Sequence, residues 1–266
     1  MSAKGTIRIG VGGWDYDPWR ASFYPDGLPK KKQLEHAATR LTAVEINATF
    51  YKLQKAELFE RWAQCVPDDF RFAVKASRYC TNRKKLGEAA EGIGRFCAQG
   101  FTALGAKLGP ILWQLAPTKR FEAEELSAFL MLLPTSRDGI RLRHAIEVRH
   151  ESFRCREFVA MARAADVAIV IAEHDEYPQI ADLTSDFVYV RLQRTREDEP
   201  TGYPAAELDR WASVARGWAK GESPAGLSYL SETRAPVQPR DVFLFVISGA
   251  KVRNPLAAEA LIGRLQ

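Results

Sequence analysis

Three short stretches of the chain set acids, bases and amides two residues apart. In Ala43-Val44-Glu45-Ile46-Asn47-Ala48-Thr49-Phe50-Tyr51, the polar Glu45, Asn47 and Thr49 alternate with Val44, Ile46 and Ala48. Phe72-Ala73-Val74-Lys75-Ala76-Ser77 repeats the arrangement with Lys75 and Ser77, and His144-Ala145-Ile146-Glu147-Val148-Arg149-His150 repeats it with Glu147 and Arg149. Successive side chains of a strand point to opposite faces, so each stretch offers one apolar face to a covering layer and one polar face to what the sheet encloses. An inward carboxylate is costly unless a partner compensates it. Two carboxylates among cations can divide into acid and base, because neighbouring charges push their pKa values apart. Glu45 and Glu147 are the candidate acid–base pair. Lys75 suits a base, a Schiff-base nucleophile or a counter-ion, and the forks of Arg149 and Arg191 suit a carboxylate or phosphate.

The elements that must carry these groups follow from the apolar pattern. Strand-like runs lie near residues 7–13, 43–51, 72–77, 110–115, 144–150, 167–173, 187–193 and 241–248. Helical periodicity fills residues 33–41, 57–66, 88–98, 121–133, 156–165, 205–219 and 256–265, and residues 221–240 read as a long Gly/Pro/Ser-rich loop. Leu208, Trp211, Val214, Ala215 and Trp218 repeat at helical spacing, which makes those tryptophans core residues. About eight alternations of strand and helix predict an α/β fold, a single (β/α)8 TIM-type barrel, as one domain over residues 1–266. Such barrels bind ligands where their strands end. Glu45, Asn47, Lys75, Ser77, Gln114, Glu147, Arg149 and Arg191 then converge on one mouth. Trp14, Tyr16, Trp19, Tyr51 and the basic loop from Arg78 to Lys85 form its rim, with His150 beside Glu147.

Composition narrows the ligand. Thirty-eight basic and thirty-three acidic side chains leave +5, a mild excess that favours anions. The four cysteines have no paired spacing, so reduced thiols in a cytoplasmic protein are expected. Residues 1–6 carry no apolar leader, and no apolar run is long enough to span a bilayer. There is no phosphate loop, no dinucleotide glycine fingerprint and no Gly-x-Ser-x-Gly elbow, so no cofactor is expected. His150, Glu173, His174 and Asp175 make a partial metal-ligand set beside Glu147, but Lys75, Arg149 and Arg191 would compete with a cation there, so no metal is expected either. The preferred reading is a hydrolase or lyase working by acid–base catalysis on a small anionic substrate. The rival is a nucleic-acid-binding or nucleic-acid-processing protein, with Lys30, Lys31, Lys32 and residues 78–85 tracking phosphates. Ordinary solvated surface accounts for those basic loops as well, and nothing in the sequence signals an oligomeric state.

The combined motifs resemble a known family. Gly12-Gly13-Trp14-Asp15-Tyr16 with Trp19, Phe23-Tyr24-Pro25, the Glu45 and Lys75 stretches, Lys107-Leu108-Gly109-Pro110 running into Trp113-Gln114-Leu115, Glu147-Val148-Arg149-His150 and Val188-Tyr189-Val190-Arg191 are similar to the YecE-like family, domain of unknown function seventy-two. The resemblance covers nearly the whole chain. It implies a TIM-barrel fold and signature status for the residues picked out above, and brings no settled reaction with it. The chain departs from the family pattern twice. Val246-Ile247-Ser248-Gly249-Ala250-Lys251 stands where the family usually has paired asparagines, and Gln193-Arg194 stands where it usually has His-Gly.

Overall fold

Ile9 and Val11, Val44 and Ile46, Phe72 and Val74, and their counterparts on each later strand face outward against a shell of helices, which turns the residues between them inward. In the computed structural model, which describes residues 4–266, the strands are β1 (Ile7–Gly12), β2 (Ala43–Ile46), β3 (Arg71–Lys75), β4 (Leu108–Gln114), β5 (Ser136–Arg137), β6 (Ile140–Arg141), β7 (His144–Glu147), β8 (Val167–Glu173), β9 (Phe187–Leu192) and β10 (Asp241–Val246). Met1, Ser2 and Ala3, where the expected absence of a leader begins, lie outside the described residues. The α-helices are α1 (Gln33–Arg40), α2 (Ala48–Tyr51), α3 (Ala56–Gln64), α4 (Arg78–Thr81), α5 (Ala90–Cys97), α6 (Ala123–Met131), α7 (Arg156–Ala164), α8 (Ala205–Lys220) and α9 (Asn254–Leu265). Eight strands pair in parallel and close on themselves in the order β1-β10-β9-β8-β7-β4-β3-β2, while β5 and β6 form a separate two-stranded antiparallel hairpin. The chain is the closed α/β barrel that its alternating pattern predicts.

The interior is packed by unequal partners. Ala43, Ala73 and Ala145 face inward from β2, β3 and β7, and the space they leave is filled by Tyr189, Phe243 and Phe245 from β9 and β10. Layered side chains of this kind make a barrel a solid core rather than a pore. Above that core the inward positions turn polar. Register sets Gly12 beside Glu45 and Gln114 beside Glu147, so the polar ring lies at the C-terminal ends of the strands. Trp211 and Trp218 are fully buried between α8 and the barrel, as their spacing requires.

The structure departs from the sequence reading in two places, at the end of β2 and in the hairpin of β5 and β6. β2 ends at Ile46; Asn47 already has helical φ/ψ and starts the one-turn α2, so Asn47 and Thr49 do not continue the strand's alternation. The Thr49 hydroxyl instead donates to the carbonyls of Ile46 and Lys75, at 3.2 and 2.7 Å, tying β2 to β3 where both strands end. The crossover from β8 to β9 contains no helix. Ile180, Ala181 and Leu183 pack there directly, and the buried Asp182 carboxylate accepts N–H bonds from Leu230 and Ser231 at 2.7 and 2.9 Å. The 221–240 loop, which has no helix or strand, thus covers the wall a helix would have covered. The hairpin of β5 and β6 carries no hydrophobic signal and was not expected.

Candidate functional site

The residues that end the strands surround a cavity of about 710 Å³. Its lining includes Arg191, inward on β9 and 2% exposed. One of its terminal nitrogens donates to Glu45 at 3.1 Å, and the other donates to Glu147 and, at 3.2 Å, to the Gln114 amide oxygen. Tyr189, two residues earlier on the same face, donates its hydroxyl to the second Glu45 oxygen at 2.7 Å. Arg149 closes the network, its Nε donating to Glu147 at 2.6 Å and a terminal nitrogen to Gln114 at 2.8 Å.

Both carboxylates are wholly inaccessible. Burial alone would push the Glu147 carboxyl up, but Arg191, Arg149 and Lys75 outweigh it and hold it below the usual carboxylate range. The same exchange raises Arg191 despite its burial, through Glu147 and Glu45. Burial and the neighbouring Glu45 charge drive the Tyr189 phenol well above its ordinary value, so it stays protonated and donates. The network is a frame whose carboxylate oxygens are already occupied by Arg191, Arg149 and Tyr189.

Lys75 stands apart from it. Its side chain lines the cavity and is 8% exposed, yet among the described residues its Nζ has no hydrogen-bond or ion-pair partner. The ammonium instead lies over the Phe50 ring, 4.1 Å from the centroid. Burial lowers its pKa most, Arg191 and Arg149 lower it further, and Glu45 and Glu147 oppose them, leaving it at about 8. A second lysine, Lys251 in the turn after β10, also lines the cavity with no ion-pair partner among the described residues. Its Nζ lies 4.2 Å from the Tyr16 ring, and its carbonyl accepts the Trp19 indole N–H at 2.8 Å. Burial lowers its pKa also. The lining acid, Asp15, is paired with Lys30 at 3.1 Å. With Lys75, Arg149 and Lys251 around it and the two glutamates already bound to Arg191, the cavity carries a positive surplus.

Of the residues singled out in the sequence, Trp14, Asn47, Tyr51, Lys75, Gln114, Arg149 and Arg191 line this cavity, and Glu45 and Glu147 lie beneath it. The others do not join them, and Trp19 is wholly buried beneath the rim it was expected to form. Tyr16 packs against Trp19 and supports Lys251 from behind. Ser77 caps α4, its hydroxyl accepting the Tyr79 N–H at 3.3 Å, and lines a neighbouring cavity of about 320 Å³ that shares Tyr51. Arg78 is exposed over the Tyr79 ring. His150 caps the turn that follows β7 through Ser152, because the chain bends away after Glu147. The reading missed Tyr189, although its place two residues before Arg191 put it on the inward face, and Lys251, although it follows a strand at the C-terminal end. Gly13, at φ +74°, makes the turn that carries Trp14 over the cavity, while Gly12 leaves room for Asn47.

Among the described residues no group of three or more His, Cys, Asp or Glu is arranged to hold a metal ion, and no helix is long and apolar enough to cross a membrane. All four cysteines are free; burial raises Cys80 to about 12 and Cys97 to about 11.

Comparison with known proteins agrees with the fold and its motifs. A 150-residue segment is 30% identical to the UPF0759 protein YecE of Escherichia coli K12, covering 55% of this chain and 50% of that protein. A shorter segment of 80 residues is 35% identical to the UPF0759 protein YunF of Bacillus subtilis, covering 30% of this chain and 27% of that one. The matches thus span half or less of these relatives' length. The crystal structure of a DUF72 family protein from Thermotoga maritima superposes with a TM-score of 0.70 at 18% identity, covering 97% of both chains, which speaks for the fold alone. The family described as "Protein of unknown function DUF72" matches residues 8–266, and the chain belongs to it.

Proposed function

We propose that the cavity is the active site of a cofactor-independent enzyme, of lyase or hydrolase type, that works by acid–base chemistry on a small anionic substrate. The observation that carries this reading is the Lys75 amine, buried in a cationic cavity with no hydrogen-bond or ion-pair partner among the described residues, while both nearby carboxylates are held by Arg191. A group that accepts and releases a proton near neutral pH is what general acid–base catalysis needs. Lys75 takes that part, and the glutamates, given at first the acid and base roles, become the frame that fixes Arg191 and Arg149. Arg149 and Lys251 would hold the substrate's anionic group, with Asn47 and Gln114 offering amides to its other oxygens.

The rival reading, nucleic acid on the basic loops, draws less support. Lys30 pairs with Asp15 and Asp17, Lys32 with Glu35 and Lys85 with Glu88, so three of the seven cations in those stretches are paired locally. A thermal-shift panel of small carboxylates, sugar phosphates and oligonucleotides tests the choice. Saturation at a hundred times the dissociation constant adds about 2.7 kcal/mol. Stabilisation by a small anion, lost in Arg149→Ala, is the expected result. Stabilisation by oligonucleotides alone would overturn it.

A further inference from the structure

An amine in a protein cavity usually has an acceptor; the Lys75 amine has none among the described residues, and the charged groups that act on it, Arg191, Glu45, Glu147 and Arg149, are already engaged with one another. Its Nζ lies instead over the face of Phe50, 4.1 Å from the centroid. The walls beyond it offer cations and amides, and the one carboxylate among them, Asp15, is paired with Lys30. Neither inward glutamate can act as a nucleophile toward the cavity, because neither is accessible. Beside the Tyr51 and Ser248 hydroxyls, the cavity offers the Lys75 nitrogen as a nucleophile, among cations that suit an anion.

We infer that Lys75 condenses with the carbonyl carbon of a small anionic oxo compound, a 2-oxo acid or a phosphorylated ketone or aldehyde, to form an imine in this cavity. The inference rests on the anionic-substrate reading above and names its substrate class. The neutral amine donates its lone pair to the carbonyl carbon, the C=O electron pair moves to oxygen, and that oxygen takes up a proton. The resulting carbinolamine expels its hydroxyl as water, the nitrogen loses its remaining protons, and a C=N bond replaces C=O; no oxidant or reductant takes part. Reprotonated, the imine is an electron sink for cleavage or elimination at the adjacent carbon. Arg149 and Lys251 would fix the carboxylate or phosphate while the Glu45–Arg191–Glu147 frame supports the positive nitrogen. An amine titrating at about 8 is neutral in roughly a tenth of molecules near neutral pH, about 300 times the fraction of an ordinary lysine.

The test uses the full chain with pyruvate, 2-oxoglutarate or dihydroxyacetone phosphate and cyanoborohydride, which reduces imines to stable amines. Intact mass and peptide mapping locate the adduct. The expected result is one adduct at Lys75, formed on the order of 100-fold faster than at exposed lysines such as Lys84 and absent in Lys75→Arg. Lys75→Met serves as a second variant if arginine does not fold. Pyruvate and dihydroxyacetone phosphate distinguish the 2-oxo acid from the phosphorylated class. The inference is overturned if no panel member labels Lys75, or if labelling is spread evenly over surface lysines. Lactate and glycerol 3-phosphate, the non-carbonyl counterparts, separate the two readings. If they raise the melting temperature without any Lys75 adduct forming, the anion site stands and the imine falls. If they do nothing and no adduct forms, both fall.

Discussion

Replacing Arg191 by methionine leaves two fully buried carboxylates with no cation between them. Glu45 keeps only the Tyr189 hydroxyl, and Glu147 keeps Arg149 on one of its oxygens. Breaking a buried pair by removing one partner costs about 3–5 kcal/mol. For a chain of this size that corresponds to a fall of about 6–20 °C in melting temperature. The pH dependence gives a sharper signature than the size. In the native protein the Glu147 carboxyl lies below its ordinary value, so the stability it contributes is present above about pH 4.3 and is lost only as pH falls through the depressed folded value. Arg191 is the largest contribution opposing burial at Glu147, so its removal lets the folded value rise and shrinks the stability that the carboxyl contributes above about pH 4.3. Urea unfolding across the mildly acidic to neutral range should show a deficit for Arg191→Met that shrinks on acidification. Adding Glu45→Gln should recover part of it, since an amide in that place is neutral and still accepts from Tyr189. A loss under about 1 kcal/mol, or a deficit indifferent to pH, would refute the view that the frame is ionised and held by Arg191.

Lys75 contributes with the opposite sign. Its folded value of about 8 lies below the unfolded value of about 10.4, so burying the ammonium costs about 3 kcal/mol, fully present below pH 8 and relieved as pH rises through the interval. Lys75→Met should accordingly be more stable than the native chain near neutral pH by an amount of that order, the gap closing by about pH 10.4; equal stability at neutral pH would sink the argument. A Cβ added at Gly12 would lie 2.7 Å from the Asn47 amide nitrogen and 3.0 Å from Ile247. Gly12→Ala should therefore push Asn47 into the cavity and weaken small-anion binding by about tenfold, roughly 1.4 kcal/mol, in a calorimetric titration; unchanged affinity would show that Asn47 takes no part. On the outer face, the Trp113 indole donates to His144 Nδ1 at 3.0 Å, while His144 Nε2 donates to the Pro134 carbonyl at 2.8 Å. Trp113→Phe leaves that buried nitrogen unpaired and should cost about 1–3 kcal/mol in urea unfolding, with anion binding intact.

Much of this was legible because period-two alternation is strict while a strand lasts. It put Glu45, Lys75, Glu147 and Arg191 inward and Val44, Val74, Ile146 and Val190 outward, and the barrel rule gathered the inward set at one end. The reading failed where the strands stopped. Nothing in Glu45-Ile46-Asn47-Ala48 marks the change to a helical turn, and Asn47 reaches the cavity by that turn rather than by alternation. Ser77 could have been seen as a helix cap, since a serine before a polar turn commonly fills that role. The three-dimensional path that carries His150 aside and brings Lys251 back to the mouth depends on loop geometry, which one sequence does not encode in any periodic form.

Which member of a charged cluster is reactive was beyond the alternation as well, since the same pattern places every member inward. The choice depends on who is paired with whom. Arg191, reaching from β9 across the barrel, takes up an oxygen of each glutamate, and Arg149 takes another of Glu147. An ammonium serving as counter-ion would sit within ion-pair distance of one of those oxygens; the Lys75 amine instead rests on Phe50 and opens to the cavity. Of the three roles its sequence position allowed, counter-ion is the one its surroundings do not supply. Base and nucleophile both require a nitrogen that is neutral part of the time and within reach of a ligand, and those are the properties that burial among arginines gives it.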